Sequence, residues 1–324
     1  MNYSRDISVI SRMFSGIKFL ATERVTLIYL LVTLCYIILF RGKLSEIFWP
    51  FIGVRILVFS LIVGLAWVYA IKPFKVIYFL RQFLPFLFLS YWYPETYYFN
   101  EFIFQNLDSY LVLSEQYFFG SQPSLEFSKI FPQAWFSELM YFGYISYYFL
   151  FFGTALWLYF KDKILLDKFT FIVIGSFYIY FLIYFLLPVV GPQFYFNYPD
   201  NVVPEGYYIS DLMRFLQNAG EKPTAAFPSS HVSITLTVLI FMWLYCRKLL
   251  IIALPVGIIL ICSTVYIKAH YLLDVIGAFI AVLITYPFIN WLYTHIQARP
   301  RIYAQTVNIF TVDYFRRAFN FMFN

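Results

Sequence analysis

Two of the chain's three histidines stand among residues able to do chemistry with them. His231 closes the run Pro228-Ser229-Ser230-His231, and His270 precedes Asp274 by four residues in Ala269-His270-Tyr271-Leu272-Leu273-Asp274. Each histidine lies at the mouth of a hydrophobic run, where a polar side chain needs a reason. On a helix the His270–Asp274 spacing puts both side chains on one face, a turn apart. A carboxylate so placed holds one imidazole nitrogen, fixes the tautomer and leaves the other nitrogen a better nucleophile or base. The Pro-Ser-Ser turn marks a helix start, whose free amides and positive dipole end favour a phosphate. Two histidines, a backing carboxylate and an anion nest suit phosphoryl transfer, with no metal and no other cofactor required.

At these positions the chain resembles the type 2 phosphatidic acid phosphatase superfamily, the integral-membrane lipid phosphatases and phosphotransferases. That family carries Pro-Ser-Gly-His, then a Ser-Arg pair followed by His and Asp; here the matching residues are Pro228, Ser229, Ser230 and His231, then Ser263, Thr264, His270 and Asp274. Ser230 replaces the usual Gly, and Thr264 replaces a phosphate-holding Arg. The family's upstream basic element has no counterpart in Leu187-Pro188-Val189-Val190-Gly191-Pro192-Gln193-Phe194. Phe227-Pro228-Ser229-Ser230-His231 with Ala269-His270-Tyr271 and Asp274 is closer to the branch that includes inositol-phosphorylceramide synthases, which also relaxes those arginines. The resemblance implies a six-span helical core and a membrane lipid as substrate.

Composition points the same way independently. The chain of 324 residues is 62% hydrophobic, 24% aromatic and 12% charged, far from a soluble globular average. Apolar runs predict an all-α polytopic membrane bundle of about eight spans, near 25–40, 51–71, 76–93, 136–160, 168–188, 230–247, 249–268 and 271–293. This divides the chain into an inner-side segment 1–24, two accessory spans within 25–75, a six-span core over 76–293 and a basic inner-side tail 294–324. Lys and Arg crowd the segments on one side, among them Lys161, Lys163, Lys168, Arg299, Arg301, Arg316 and Arg317. The other side holds Arg41, Lys43, Lys129, Arg214, Lys222 and Lys268. The positive-inside rule then puts both termini in the cytoplasm and both site histidines on the outer face. The net charge of +6 follows that inner bias and suits anionic lipid rather than nucleic acid. Residues 1–24 lack a cleavable signal pattern and suit an interfacial helix; the tail from Arg299 suits either an amphipathic segment on the inner leaflet or a disordered one.

The remaining features fit around this frame. Arg81, near an inner span end, is expected to snorkel, whereas Arg55 lies near an outer end. Residues 94–135 mix Glu95, Glu101, Asp108, Glu115 and Glu126 with aromatic residues, predicting short interfacial helices that shield the spans. Residues 189–229 are rich in turn formers and supply Arg214 and Lys222. Cys35, Cys246 and Cys262 lack metal-ligand spacing and read as buried free thiols. His295 is an interfacial residue past the last span. No Walker loop or dinucleotide fingerprint is present.

The expected chemistry assigns a role to each residue. Ser229, Ser230 and bases drawn from Lys222, Lys268 and Arg214 hold the phosphate of a lipid. His270, oriented by Asp274, attacks phosphorus to form a phosphohistidine. His231 protonates the leaving oxygen and then activates the second nucleophile. Water as that nucleophile makes a lipid phosphate phosphatase; an alcohol makes a head-group phosphotransferase. Two further readings are a metal centre built from His231, His270 and Asp274 and a non-enzymatic lipid transporter with a vestigial site.

Overall fold

The computed structural model describes residues 17–297, so the expectations for residues 1–16 and for the tail from Arg299 lie outside the described residues. The described residues form an all-helical structure. Each predicted span falls on a helix: α1 (Ala21–Leu39), α2 (Phe48–Ile71), α3 (Lys75–Glu95), α6 (Ala134–Lys161), α7 (Lys163–Leu186), α9 (Ser230–Tyr245), α10 (Arg247–Tyr266) and α11 (Leu272–Gln297). Between α3 and α6 lie two short helices, α4 (Asp108–Phe119) and α5 (Pro123–Ile130), and α8 (Tyr208–Gly220) precedes α9. Among the described residues six helices, α1, α2, α6, α7, α10 and α11, are long and apolar enough to cross a membrane; α9 is apolar but shorter, with 16 residues. The chain is a multi-pass integral membrane protein.

Helix α7 is the central post. Asp162 caps its N-terminus, accepting from the amides of Ile164 (2.9 Å) and Leu165 (3.0 Å), which meets two of the donors a helix start leaves orphaned. Its Phe169, Phe171, Ile172, Val173 and Ile174 are wholly buried, and α1, α3, α6, α9 and α11 all pack on it. In hydrocarbon, side-chain burial gains little over lipid contact, so close packing and polar pairs must hold helices together. The α6–α10 seam shows the first device: a Cβ on Gly143 would lie 2.8 Å from Ile259 Cγ2 and 3.0 Å from its carbonyl oxygen. Outward-facing residues such as Phe149, Ile251 and Leu283 are exposed and apolar, as a lipid-facing surface requires.

Helix α3 shows the second device. Arg55 of α2 meets Glu95 at the end of α3 in a two-pronged pair, both contacts 2.8 Å, and also donates to Thr33 Oγ1 at 3.1 Å. Arg81 in the other half of α3 pairs with Glu23 of α1 through two contacts of 2.6 Å. Both pairs are buried. The expected snorkelling of Arg81 is therefore replaced by an ion pair, because α1 brings a carboxylate to it. Cys246 is buried, but Cys35 and Cys262 are exposed on the bundle's outside, since each faces away from the neighbouring helices.

Candidate functional site

The turn between α10 and α11 and the start of α9 converge at one end of the bundle. His270 lies in that turn rather than on a helix: its amide donates to the Thr264 carbonyl (3.0 Å), and α11 begins two residues later. His270 Nδ1 lies 2.9 Å from the Ala226 carbonyl and 3.3 Å from Asp274 Oδ2. Both neighbours accept, so Nδ1 carries the proton and Nε2 keeps its lone pair. Nε2 points at His231 Nδ1, 3.3 Å away. Asp274 Oδ2 is itself fixed by the Tyr271 amide at 2.8 Å. Burial pushes the His270 imidazole down to about 4, so it is a neutral base at physiological pH.

His231 is held by aromatic faces. Tyr144 stacks on its ring with centroids 4.6 Å apart, and the Tyr147 ring lies at 4.5 Å. Both tyrosines come from α6, which thereby sets the plane of the imidazole. The preceding serines do structural work. Ser229 is the α9 N-cap, its hydroxyl accepting from the Val232 amide (3.3 Å) and its amide donating to the Asp274 carbonyl (3.2 Å). Ser230 is buried in the first turn.

A small pocket lies between the histidines, lined also by Tyr93, Tyr144, Gln193, Glu221, Thr224 and Ala269, with a volume of about 10 Å³, room for about one water. Among the described residues, no lysine or arginine lines it. The predicted phosphate-binding bases are placed elsewhere. Lys222 is exposed. Lys268, with a left-handed φ of 64°, sends its ammonium group to the carbonyls of Asp200 and Val202, 2.5 Å from each, and burial brings it down to about 8. Arg214 lies over the Tyr141 ring, 3.9 Å from Glu205. Neither Ser229 nor Ser230 lines the pocket. The physical reason is local: the serine turn is consumed in capping α9, and the chain after α8 turns Glu221 inward and Lys222 outward.

Glu221 is the group the sequence reading passed over. Its carboxylate accepts from Tyr144 Oη (3.1 Å) and Gln193 Nε2 (2.7 Å), and Gln217 Nε2 lies at 3.4 Å. Burial raises its carboxyl above the usual range, opposed by these donors. An acid beside a predicted base was the available signal.

The 94–135 segment does more than shield the spans. Asp108 of α4 accepts from the amides of Val190 (2.8 Å) and Gly191 (3.0 Å) and from Tyr271 Oη (2.9 Å). Glu115 accepts from the Leu273 amide at 3.0 Å. Thus α4 grips both the Pro188–Gly191 chain and the His270 turn. Gly191 takes a φ of 89°, and a Cβ there would lie 2.7 Å from the Ala269 carbonyl, so only glycine lets the two strands of chain approach this closely.

Among the described residues, no cluster of three or more His, Cys, Asp or Glu is arranged as a metal site. No curated protein and no solved structure matches the chain. A family model described as the PAP2 superfamily matches residues 111–288, more than half of the chain. That span holds α6, α7, α9 and α10 entire and carries both pocket histidines and Asp274 behind His270, and the chain belongs to the PAP2 superfamily.

Proposed function

We propose that this membrane protein transfers the phosphoryl group, or a substituted phosphoryl group, of a membrane lipid through a phosphohistidine on His270. Superfamily membership supports phosphatase-like chemistry on lipid phosphates in general. The observation that carries the finer reading is the opposed pair: His270 Nε2, unprotonated because Nδ1 is tied to Ala226 and Asp274, aimed at His231 Nδ1. Admission of a phosphate requires the two rings to part from their 3.3 Å contact, after which phosphorus meets a nucleophile on one side and a proton carrier on the other. In the first step the His270 Nε2–P bond forms and the P–O ester bond breaks, the leaving oxygen taking a proton from His231. In the second step a hydroxyl attacks phosphorus, gives its proton to His231 and returns the bonding pair to Nε2. The site works on the outer face with both termini cytoplasmic, a reading supported by the distribution of Lys and Arg.

Hydrolysis and transfer to an alcohol share this first step. A phosphomonoester brings close to two negative charges, and a cation-poor pocket with a buried carboxylate serves it badly. The composition of the pocket therefore favours the phosphotransferase outcome on a singly charged phosphodiester. The test gives the detergent-purified chain a panel of phosphatidic acid and phosphodiester lipids, with and without lipid alcohols. Acid-labile phosphate on the protein and new phospholipid are expected. Turnover without any phosphoenzyme, and undiminished in His270→Ala, overturns the reading.

A further inference from the structure

A second cavity adjoins the histidine pocket. It has a volume of about 260 Å³ and is lined by Tyr141, Gln193, Asn201, Glu205, Arg214 and Gln217 among others. It lies among α8, the irregular chain around residues 193–205 and Tyr141 near the start of α6. Gln193 is common to both cavities. It donates to Glu221, which faces the histidine pocket, and Gln217 approaches the same carboxylate. The wall between the cavities is thus a carboxylate held by two amides.

The lining chemistry narrows the occupant. Three primary amides offer donors and acceptors together; Gln193 is committed to Glu221 at 2.7 Å, but the contacts from Asn201 to the Gln193 backbone carbonyl and from Gln217 to Glu221 are long, at 3.5 and 3.4 Å. Arg214 is balanced by Glu205, so the lining has no net charge. Such a surface suits a neutral molecule whose groups both donate and accept, which is what hydroxyls do. The volume sits just below the roughly 300–1,000 Å³ of drug-sized sites, the scale of a small polyol or sugar.

We propose that this cavity binds a neutral, water-soluble polyol that serves as the alcohol partner of the transfer. The proposal rests on the phosphohistidine reading for its chemistry, but not for its binding. With a hydroxyl reaching past Gln193 toward Glu221, the polyol oxygen forms the new O–P bond as the N–P bond to His270 breaks. The hydroxyl proton goes to His231. By microscopic reversibility the same cavity receives a polyol released in the first step.

The experiment has two arms on the full chain in detergent. The first measures binding of glycerol, myo-inositol and glucose by saturation-transfer NMR, with no turnover needed. At least one is expected to bind, and Gln217→Leu and Arg214→Met, which remove polar lining without touching the histidines, should each weaken it about tenfold, the scale of one lost hydrogen bond to a charged or buried partner. The second forms phosphoenzyme from a labelled phospholipid and asks whether the bound polyol takes the label, with His270→Ala as the blank. Absence of binding by all three, or binding unchanged in both variants, overturns the cavity assignment even where phosphoenzyme forms. Binding without label transfer from a competent phosphoenzyme overturns the acceptor role. Binding with no phosphoenzyme from any lipid leaves the polyol site standing and removes the phosphohistidine reading instead.

Discussion

The hydroxyl of Tyr271 meets the carboxylate of Asp108 at 2.9 Å, across 163 residues of chain. Tyr271 is the neighbour of His270, and Asp108 also holds the Val190 and Gly191 amides. One carboxylate on a helix outside the spans therefore fixes the backbone on which the nucleophile sits.

Asp108→Asn keeps the size of the side chain but leaves one oxygen to serve four donors, the amides of Val190 and Gly191, Tyr271 Oη and Asn106 Nδ2. We expect kcat to fall by about tenfold or more, as when a support 1 Å from ideal geometry is lost, with KM for lipid changed less. Tyr271→Phe, which removes only the hydroxyl, is expected to give a smaller loss in the same direction. Equal kcat in all three proteins removes Asp108 from the positioning of His270.

His231→Ala and His270→Ala should each abolish turnover, and the double variant should be no worse than His270→Ala, since groups that act as a unit lose activity non-additively. Phosphoenzyme is absent in His270→Ala under this mechanism. Retention of substantial turnover in either folded single variant rules the pair out as the catalytic unit.

Glu115 gives a pH dependence of stability with a definite sign. Burial, with the charge of Asp274 adding to it and the Leu273 amide opposing, lifts its carboxyl to about 7 from the ordinary 4.5. Between those values the folded protein holds the extra proton, so this group's contribution to stability falls as pH rises from about 4.5 to 7. Glu115→Gln, which keeps an acceptor for Leu273 and cannot ionise, is expected to gain on the wild type in Tm at pH 8 relative to pH 5. His270 acts in the opposite sense: its imidazole is depressed from 6.5 to about 4, so the unfolded chain binds the proton first and stability falls as pH drops from about 6.5 to 4. Detergent thermal melts of both proteins from pH 4 to 8 separate the two effects.

Lys222→Met should leave turnover nearly unchanged, because the side chain is exposed and does not line the pocket. Lys268→Met should instead lower thermal stability by about 1–3 kcal/mol, leaving the Asp200 and Val202 carbonyls short of a donor. A large loss of phosphoenzyme formation in Lys222→Met, with folding intact, would return that lysine to the site.

Much of the site was legible because it is carried by short-range patterns. The four-residue spacing of His270 and Asp274 and the Pro-Ser-Ser start before His231 survive folding nearly as read, although His270 sits in a turn and only Asp274 lies on the helix. The eight helices follow apolar runs long enough to need no tertiary information. Direction is what spacing does not encode. Lys222 and Glu221 are neighbours in an extended stretch, so one faces in and the other out, and which one does is decided by Tyr144 and Gln193 at a distance. The same holds for Asp108 and Glu115, acids on an outer helix whose targets, Gly191 and Leu273, lie far along the chain. Arg81 was read alone because Glu23 is 58 residues away.

The paired arginines also bear on how the protein is made. Helix α3 is not among those apolar enough to cross a bilayer unaided, and its two charged contacts are to different partners: Glu23 on α1 near one end, Arg55 on α2 at the other. A charge left alone in hydrocarbon costs several kcal/mol, and removing one partner of a buried pair about 3–5 kcal/mol. Stepwise release of α1, α2 and α3 from the insertion machinery would strand Glu23 and Arg55 in turn. The three helices are therefore expected to enter the lipid as one cohort, retained until α3 has emerged. A nascent chain truncated before Glu95 is expected to remain beside the translocation channel, and one that extends past it to leave.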